Sequence, residues 1–305
     1  MRQYKVFLPL ILSSFLSLIT ISTASANVVT SIKPLAFISA AITDGVTETE
    51  VLLPDGASPH AYSLKPSDMV KLKKAELVVW ISPELEAYMS RPVSALSAEK
   101  VITLTDDSVV KANLRHGHQH DEGEEHEEVG HSHSDLDLHI WLSPTISRQI
   151  AVVIHDKLIT LYPEQKSQLD NNLQEFLNNL TFTEQNVKNR LKPFGDKGYF
   201  VFHDAYQYFE RYFGLNHLGH FTINPEIQPG VKKLYEIKQT LIEQKAKCVF
   251  AEPQFRPAII DTLTRDVNVS HGILDPLGMN INVTKHSYTE FLNQLSTQFS
   301  SCLEE

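Results

Sequence analysis

The chain has 305 residues, enough for one large domain or two of ordinary size, and its 42% apolar and 21% charged residues describe a globular protein. The formal charge is -10 and no basic patch competes with it, which argues against nucleic acid and anionic lipid as partners and favours a cation.

Residues 1–26 read as a secretory signal peptide outside the fold. Arg2 and Lys5 form a positive start, residues 6–21 are largely apolar though broken by Pro9 and several serines, and Ala24-Ser25-Ala26 is an A-x-A cleavage site. The mature chain is expected to begin at Asn27, more acidic by the loss of Arg2 and Lys5. A membrane anchor is the competing reading; the cleavage signal and the short, serine-containing core argue against it. Nothing later is long and apolar enough to span a bilayer.

From residue 27 the pattern alternates. Residues 28–32 form a β-branched run, and Pro34 opens a helix over 35–41. A strand over 50–53 ends in the turn signal Pro54-Asp55-Gly56. Helix 66–74, strand 77–81, helix 84–96 and strand 100–104 follow. Such alternation means a parallel α/β sheet. Residues 144–162 read as helix with Ser143 as N-cap. A long helix then runs from about 164 to 191, with Leu169, Leu173, Phe176, Leu180, Val187 and Leu191 at helical spacing. Pro193 and Gly195 end it, and the alternation restarts: strands 199–202, 215–221, 248–251 and 267–274, helices 205–213, 231–244, 257–266 and 288–300. The expected architecture is α/β with two lobes, each a parallel sheet flanked by helices, joined by one long bridging helix. The divisions are 27–162, 163–192 and 193–305.

Between the fourth strand and Ser143 lies a run of different character. His116, His118, His120, His126, His131 and His133 are interleaved with Asp121, Glu122, Glu124, Glu125, Glu127 and Glu128. It has no apolar periodicity, so residues 115–136 are expected as a mobile loop. Imidazole and carboxylate together favour a borderline divalent cation, zinc first. A solvated acidic loop without a metal role is the plainer alternative. Cys248 and Cys302 are an even count in an exported chain, which suggests a disulfide closing a loop of ~54 residues, worth about 4 kcal/mol on the chain-entropy model. Zinc ligation by the pair is the alternative, weakened by the lack of C-x-x-C spacing.

Ligands of open α/β sheets bind beyond the carboxyl ends of strands, here the cleft between the lobes. His60, His139, His203 and Asp275 all fall at strand ends or in the loops after them. Three imidazoles with a carboxylate or water would make a tetrahedral zinc site; a single such histidine is more often structural. His155 falls within a helix and reads as packing or surface. His217, His220, His271 and His286 are peripheral ligand candidates, and Glu252, at the same edge as His203, is a candidate to orient a ligand. Three N-x-S/T triplets, at Asn179, Asn268 and Asn282, carry little weight because the pattern is common by chance.

Several motifs are specific in order and spacing: residues 53–68 around Pro54-Asp55-Gly56-Ala57-Ser58-Pro59-His60-Ala61-Tyr62, residues 137–144 around Asp137-Leu138-His139-Ile140-Trp141, residues 202–209 beginning Phe202-His203-Asp204-Ala205-Tyr206, and Leu274-Asp275-Pro276-Leu277-Gly278. With the His/acid loop, they make the chain resemble the periplasmic zinc-binding protein of high-affinity zinc ABC uptake systems across essentially its whole mature length. The resemblance implies two lobes bridged by a rigid long helix, zinc ligation by His60, His139 and His203, and a fourth position filled by water, a neighbouring acid or Asp275; because a long bridging helix resists hinge closure, small motion is expected. Pro59 stands where some members carry Glu, which makes Asp275 or water the expected fourth ligand. A disulfide near the C-terminus, matching Cys248 and Cys302, is also implied.

The function expected is that of a periplasmic carrier, not an enzyme. It would capture Zn2+ in the cleft, deliver it to an inner-membrane ABC permease, and act as a monomer, with an auxiliary periplasmic metal-binding protein as a possible further partner. The loop would collect additional zinc. Affinity is expected to fall as pH drops through about 6.5, where free imidazole gains a proton. A manganese carrier would use more oxygen ligands. A zinc hydrolase would need a base and a substrate pocket, and neither H-E-x-x-H nor a nucleophile elbow is present. A metal-binding adhesin of the same fold is the third alternative.

Overall fold

The computed structural model describes residues 27–117, 136–227, 229–255 and 258–305. The signal segment 1–26 and the tract histidines His118, His120, His126, His131 and His133 lie outside the described residues.

Strands β1 (Asn27–Thr30), β2 (Glu48–Val51), β3 (Leu77–Trp80) and β4 (Val101–Thr103) form one parallel sheet in the order β2-β1-β3-β4. Helices α1 (Lys33–Thr43), α2 (Pro66–Lys74) and α3 (Ala87–Ser94) belong to the same half, and a short α4 (Ser108–Lys111) is N-capped by Asp107, whose carboxylate accepts from Val109 N and Val110 N. Leu77-Val78-Val79-Trp80 is buried on both faces, which is why it is a continuous apolar run and not an alternating one.

The tract's two ends are tied by a small antiparallel ladder, β5 (Arg115–His116) with β6 (Leu136–Asp137). Helix α5 (Pro144–Leu161) follows, with the Ser143 hydroxyl accepting from Ile146 N, and then α6 (Lys166–Leu191). The second half holds β7 (Gly198–His203), α7 (Gln207–Phe213), β8 (Asn216–Thr222), α8 (Val231–Glu243), β9 (Cys248–Ala251), α9 (Ala258–Thr264), β10 (Ser270–Ile273) and α10 (Ser287–Leu303). Its parallel sheet runs β10-β9-β7-β8.

Both sheets therefore place the first strand of their half beside the second and third, with the fourth outermost. The strand order reverses between β1 and β3 and again between β7 and β9, and open α/β sheets bind ligands at such points. Helix α6 packs against α1, α5, α7 and α10. Its buried face is Leu169, Asn172, Phe176, Leu180, Thr183, Val187 and Leu191. Leu173 is only partly buried; the inward position belongs to Asn172, whose amide donates to Ile42 O (2.9 Å) and Asp44 O (2.8 Å) at the end of α1. These carbonyls lack intrahelical partners, so a buried amide there is satisfied and useful.

Helix α3 is shorter than the expected 84–96. Glu86 leaves helical geometry (φ -117°, ψ 57°) and turns its buried carboxylate onto Ile81 N at 2.7 Å, and burial raises its pKa to about 7. Cys248 and Cys302 are joined in a disulfide that fixes α10 to β9, so zinc ligation by the pair is set aside. Among the described residues no helix is long and apolar enough to cross a membrane.

Candidate metal centre

Each of the three cleft histidines is delivered by a locally determined turn. His60 lies in the loop after β2. That loop opens with Ala57 N donating to Pro54 O (3.1 Å) across Gly56, whose φ of +80° is left-handed and suits glycine. The Ser58 hydroxyl then accepts from His60 N at 3.2 Å.

His139 follows β6. Asp137 Oδ1 accepts from His139 N (3.0 Å) and contacts His139 Nδ1 (2.8 Å). The next turn, Ile140–Leu142, is anchored to the second half by Trp141 Nε1 donating to Pro276 O at 2.7 Å and by Tyr288 Oη donating to Trp141 O at 2.8 Å. His203 is the last residue of the central strand β7. Glu252 Oε1 lies 3.3 Å from its Nδ1, and Tyr206 Oη donates to that oxygen at 3.0 Å.

The three rings converge, with centroids 5.6 Å apart for His60 and His139, 5.0 Å for His60 and His203, and 4.8 Å for His139 and His203. One donor atom from each lies within 4.8 Å of the others. Among the described residues His60 Nε2, His139 Nε2 and His203 Nε2 are all buried without a hydrogen-bond partner, as is His203 Nδ1. Three such orphans in one place would be costly unless a ligand met them. The Asp137 carboxylate behind Nδ1 of His139 favours the tautomer whose Nε2 lone pair faces inward, whereas Glu252 approaches His203 Nδ1 without a hydrogen bond.

The electrostatics favour the neutral form of two of these rings. Burial, then the neighbouring His203 and His139, holds His60 well below the ordinary imidazole value, and burial with His139 lowers His203 to about 3. Burial pushes the Glu252 carboxyl up to about 8 despite the Tyr206 bond. Pro59, Trp141, Gln254, Phe255, Pro276 and Leu277 wall the cavity.

Asp275 is not brought into this group. Its Oδ1 accepts from Leu277 N (3.1 Å) and Gly278 N (3.0 Å) and its Oδ2 from Met279 N (2.6 Å), so the carboxylate shapes the following turn. The donor group among the described residues therefore holds the three histidines without Asp275. Gly278 in that turn, at φ +64°, abuts Phe37: a Cβ there would meet the ring at 2.7 Å.

His217 and His220, both on β8, join Asp204 in a second group whose donor atoms also lie within 4.8 Å of one another. Tyr199 Oη donates to Glu210 Oε1 (2.9 Å), and Glu210 Oε2 meets His217 Nδ1 (3.0 Å). Burial lowers the His217 pKa, but the Glu210 charge and hydrogen bond outweigh it and raise it to about 9. His271 contacts Thr264 Oγ1 at 2.8 Å, and His286 stands at the N-cap of α10; neither joins a ligand group among the described residues. His155 pairs with Asp156 (2.9 Å) and Asp170 (3.0 Å), linking α5 to α6. His116, on β5, is exposed. Sequence reasoning passed over Asp137 as a partner of His139; its signal was the short Asp137-Leu138-His139 spacing, which lets one carboxylate reach back to the ring.

Comparison with known proteins gives the same direction. The family model described as "ZnuA: Zinc-uptake complex component A periplasmic" matches residues 28–302. The chain is 53% identical over 293 residues to the high-affinity zinc uptake system protein ZnuA of Yersinia pestis, covering 92% of each chain. It is 47% identical to the protein of the same name from Haemophilus ducreyi, over 92% of this chain and 94% of that one. A crystal structure of ZnuA superposes with a TM-score of 0.75 at 24% identity, covering 91% of this chain and 99% of that one, which supports the fold. With the match spanning both sheets and all three cleft histidines, the chain belongs to the ZnuA family of periplasmic zinc-uptake components.

Proposed function

We propose that this protein is the periplasmic carrier of a high-affinity zinc ABC uptake system, binding one Zn2+ through His60, His139 and His203 and passing it to an inner-membrane permease. The observation that carries the reading is the trio of buried, partnerless Nε2 atoms converging between the two sheets. Zinc is held by imidazole at about 2.0–2.1 Å, so the donors would draw together around it to become ligands. A donor set of three nitrogens with no carboxylate favours zinc over manganese. With Asp275 engaged by backbone amides and Pro59 carrying no donor, the fourth ligand is water. X-ray absorption at the zinc edge, with one equivalent bound, should show three imidazoles and one further light ligand. Carboxylate-dominated coordination, or fewer than two imidazoles, would overturn the assignment.

The carrier acts as a monomer, is exported through its signal segment, and performs no catalysis. The His/acid tract collects further zinc ahead of the cleft. A specific observation favours an accessory site in addition. Asp204, His217 and His220 form a second donor group, with Glu210 behind His217 Nδ1, and a metal there must displace the proton that the Glu210 charge stabilises on His217. An equilibrium dialysis stoichiometry above one that survives removal of residues 118–135 and falls in His220→Ala would support it; an unchanged stoichiometry in His220→Ala would refute it.

A further inference from the structure

From the hydrogen bonds around the base of the histidine tract, we infer that Tyr208 is a positioning residue for the metal centre, holding His139 in its ligating pose through Asp137. This rests on the reading of His139 as a zinc ligand.

Tyr208 lies on α7, in the second half of the molecule, and is 4% exposed. Its hydroxyl spans the ends of both strands of the β5–β6 ladder. It accepts from Arg115 N at 3.0 Å and donates to Asp137 O at 2.9 Å. Among the described residues that ladder pairs Arg115 with Asp137 and His116 with Leu136. Two residue pairs closing a long excursion of chain are marginal unaided, because the closure entropy must be met by few contacts. One hydroxyl from the opposite half therefore fixes where both strands end.

Asp137 is consequently gripped at two points. Tyr208 holds its carbonyl, and its Oδ1 meets His139 N at 3.0 Å and His139 Nδ1 at 2.8 Å. Among the described residues its Oδ2 is buried without a partner, so the bonds through Oδ1 set the carboxylate's orientation there. The chain Tyr208–Asp137–His139 thus aims His139 Nε2 at the other two histidines. Outer partners of this kind fix tautomer and ring angle, and their loss typically costs 10–100-fold in metal affinity.

The test is Tyr208→Phe, which keeps the ring and removes the hydroxyl, measured by chelator competition for zinc alone in the full mature chain and again in a His139→Ala background. In the unaltered background the affinity should fall by about 10-fold, the low end of that range because Tyr208 acts one bond further out. The Co2+-loaded protein should change its d–d spectrum. In the His139→Ala background the same substitution should have no effect, since the residue it positions is gone. Equal losses in both backgrounds, or no loss in the first, would overturn the inference. A His139→Ala protein binding zinc as tightly as the parent would instead overturn the ligand assignment beneath it. Should Tyr208→Phe fold poorly, Asp137→Asn serves: its affinity loss must likewise vanish with His139, and persistence of the loss would count against the relay.

Discussion

Acidification is the perturbation that separates this buried site from an open cluster of histidines. A free imidazole with pKa 6.5 goes from mostly neutral at pH 7 to almost wholly protonated at pH 5, which would weaken metal binding about 25-fold per ligand and about 600-fold for two. His60 and His203 are not free imidazoles. Burial and the neighbouring histidines hold His60 well below that value and place His203 at about 3. His203 should remain neutral across pH 7 to 5 and contribute essentially none of that loss, and His60 should contribute less than a free imidazole, so the sequence-based expectation of affinity collapsing through pH 6.5 is replaced by a shallower fall. The same shift has a stability consequence of defined sign. Between pH 6.5 and 5 the unfolded chain takes up a proton on His203 that the folded, metal-free chain refuses, so stability decreases as pH falls, by about 2 kcal/mol from this residue. The assay is a carbon-13 NMR titration of the imidazole signals of metal-free protein, with urea unfolding at the same pH values. An inflection near pH 6.5 for His60 or His203 in the folded protein would refute the reasoning.

Three further outcomes follow from the fold. Cys302→Ser opens the bridge to Cys248 across a sequence separation of 54 and should lower unfolding free energy by about 4 kcal/mol under oxidising conditions; a loss below about 1 kcal/mol in urea melts would contradict the chain-entropy argument. Glu86, with a folded pKa of about 7 against 4.5, favours folding at low pH, and that contribution is lost as pH rises through 7, up to about 3 kcal/mol. Glu86→Gln should therefore flatten the pH dependence of stability between 5 and 7, and an unchanged profile would show the carboxyl to be uninvolved. Asn172→Leu strands the Ile42 and Asp44 carbonyls and should cost about 1–3 kcal/mol in the same melts, whereas a gain in stability would mean those carbonyls find water instead.

Much of the architecture was legible because burial writes itself into residue type. Runs such as Leu77–Trp80 are apolar at every position because both faces of a parallel strand are covered, and Leu169, Phe176, Leu180, Val187 and Leu191 mark the inward stripe of α6. The three cleft histidines could be located because each follows a strand or caps a turn signal. What escaped detection depended on partners distant in sequence or on side chains serving the backbone. The turn-forming role of Asp275, whose carboxylate accepts from the amides of Leu277, Gly278 and Met279, has no such signal. Asn172 looks like a surface residue until the carbonyls 128 and 130 residues away are known. The ladder at the base of the tract is short enough to leave no periodic signal, and Tyr208, which holds it, is 93 residues from Arg115.

The central claim, that the transported zinc is held by the cleft histidines and not by the tract, is tested most directly by zinc competition titration against a chromophoric chelator. The proteins to compare are the mature chain, a form lacking residues 118–135, and that shortened form carrying His203→Ala. One tight site that survives the deletion and disappears with His203 is the predicted result. Tight binding that disappears with the tract while His203→Ala changes nothing would contradict it and make the tract the principal site.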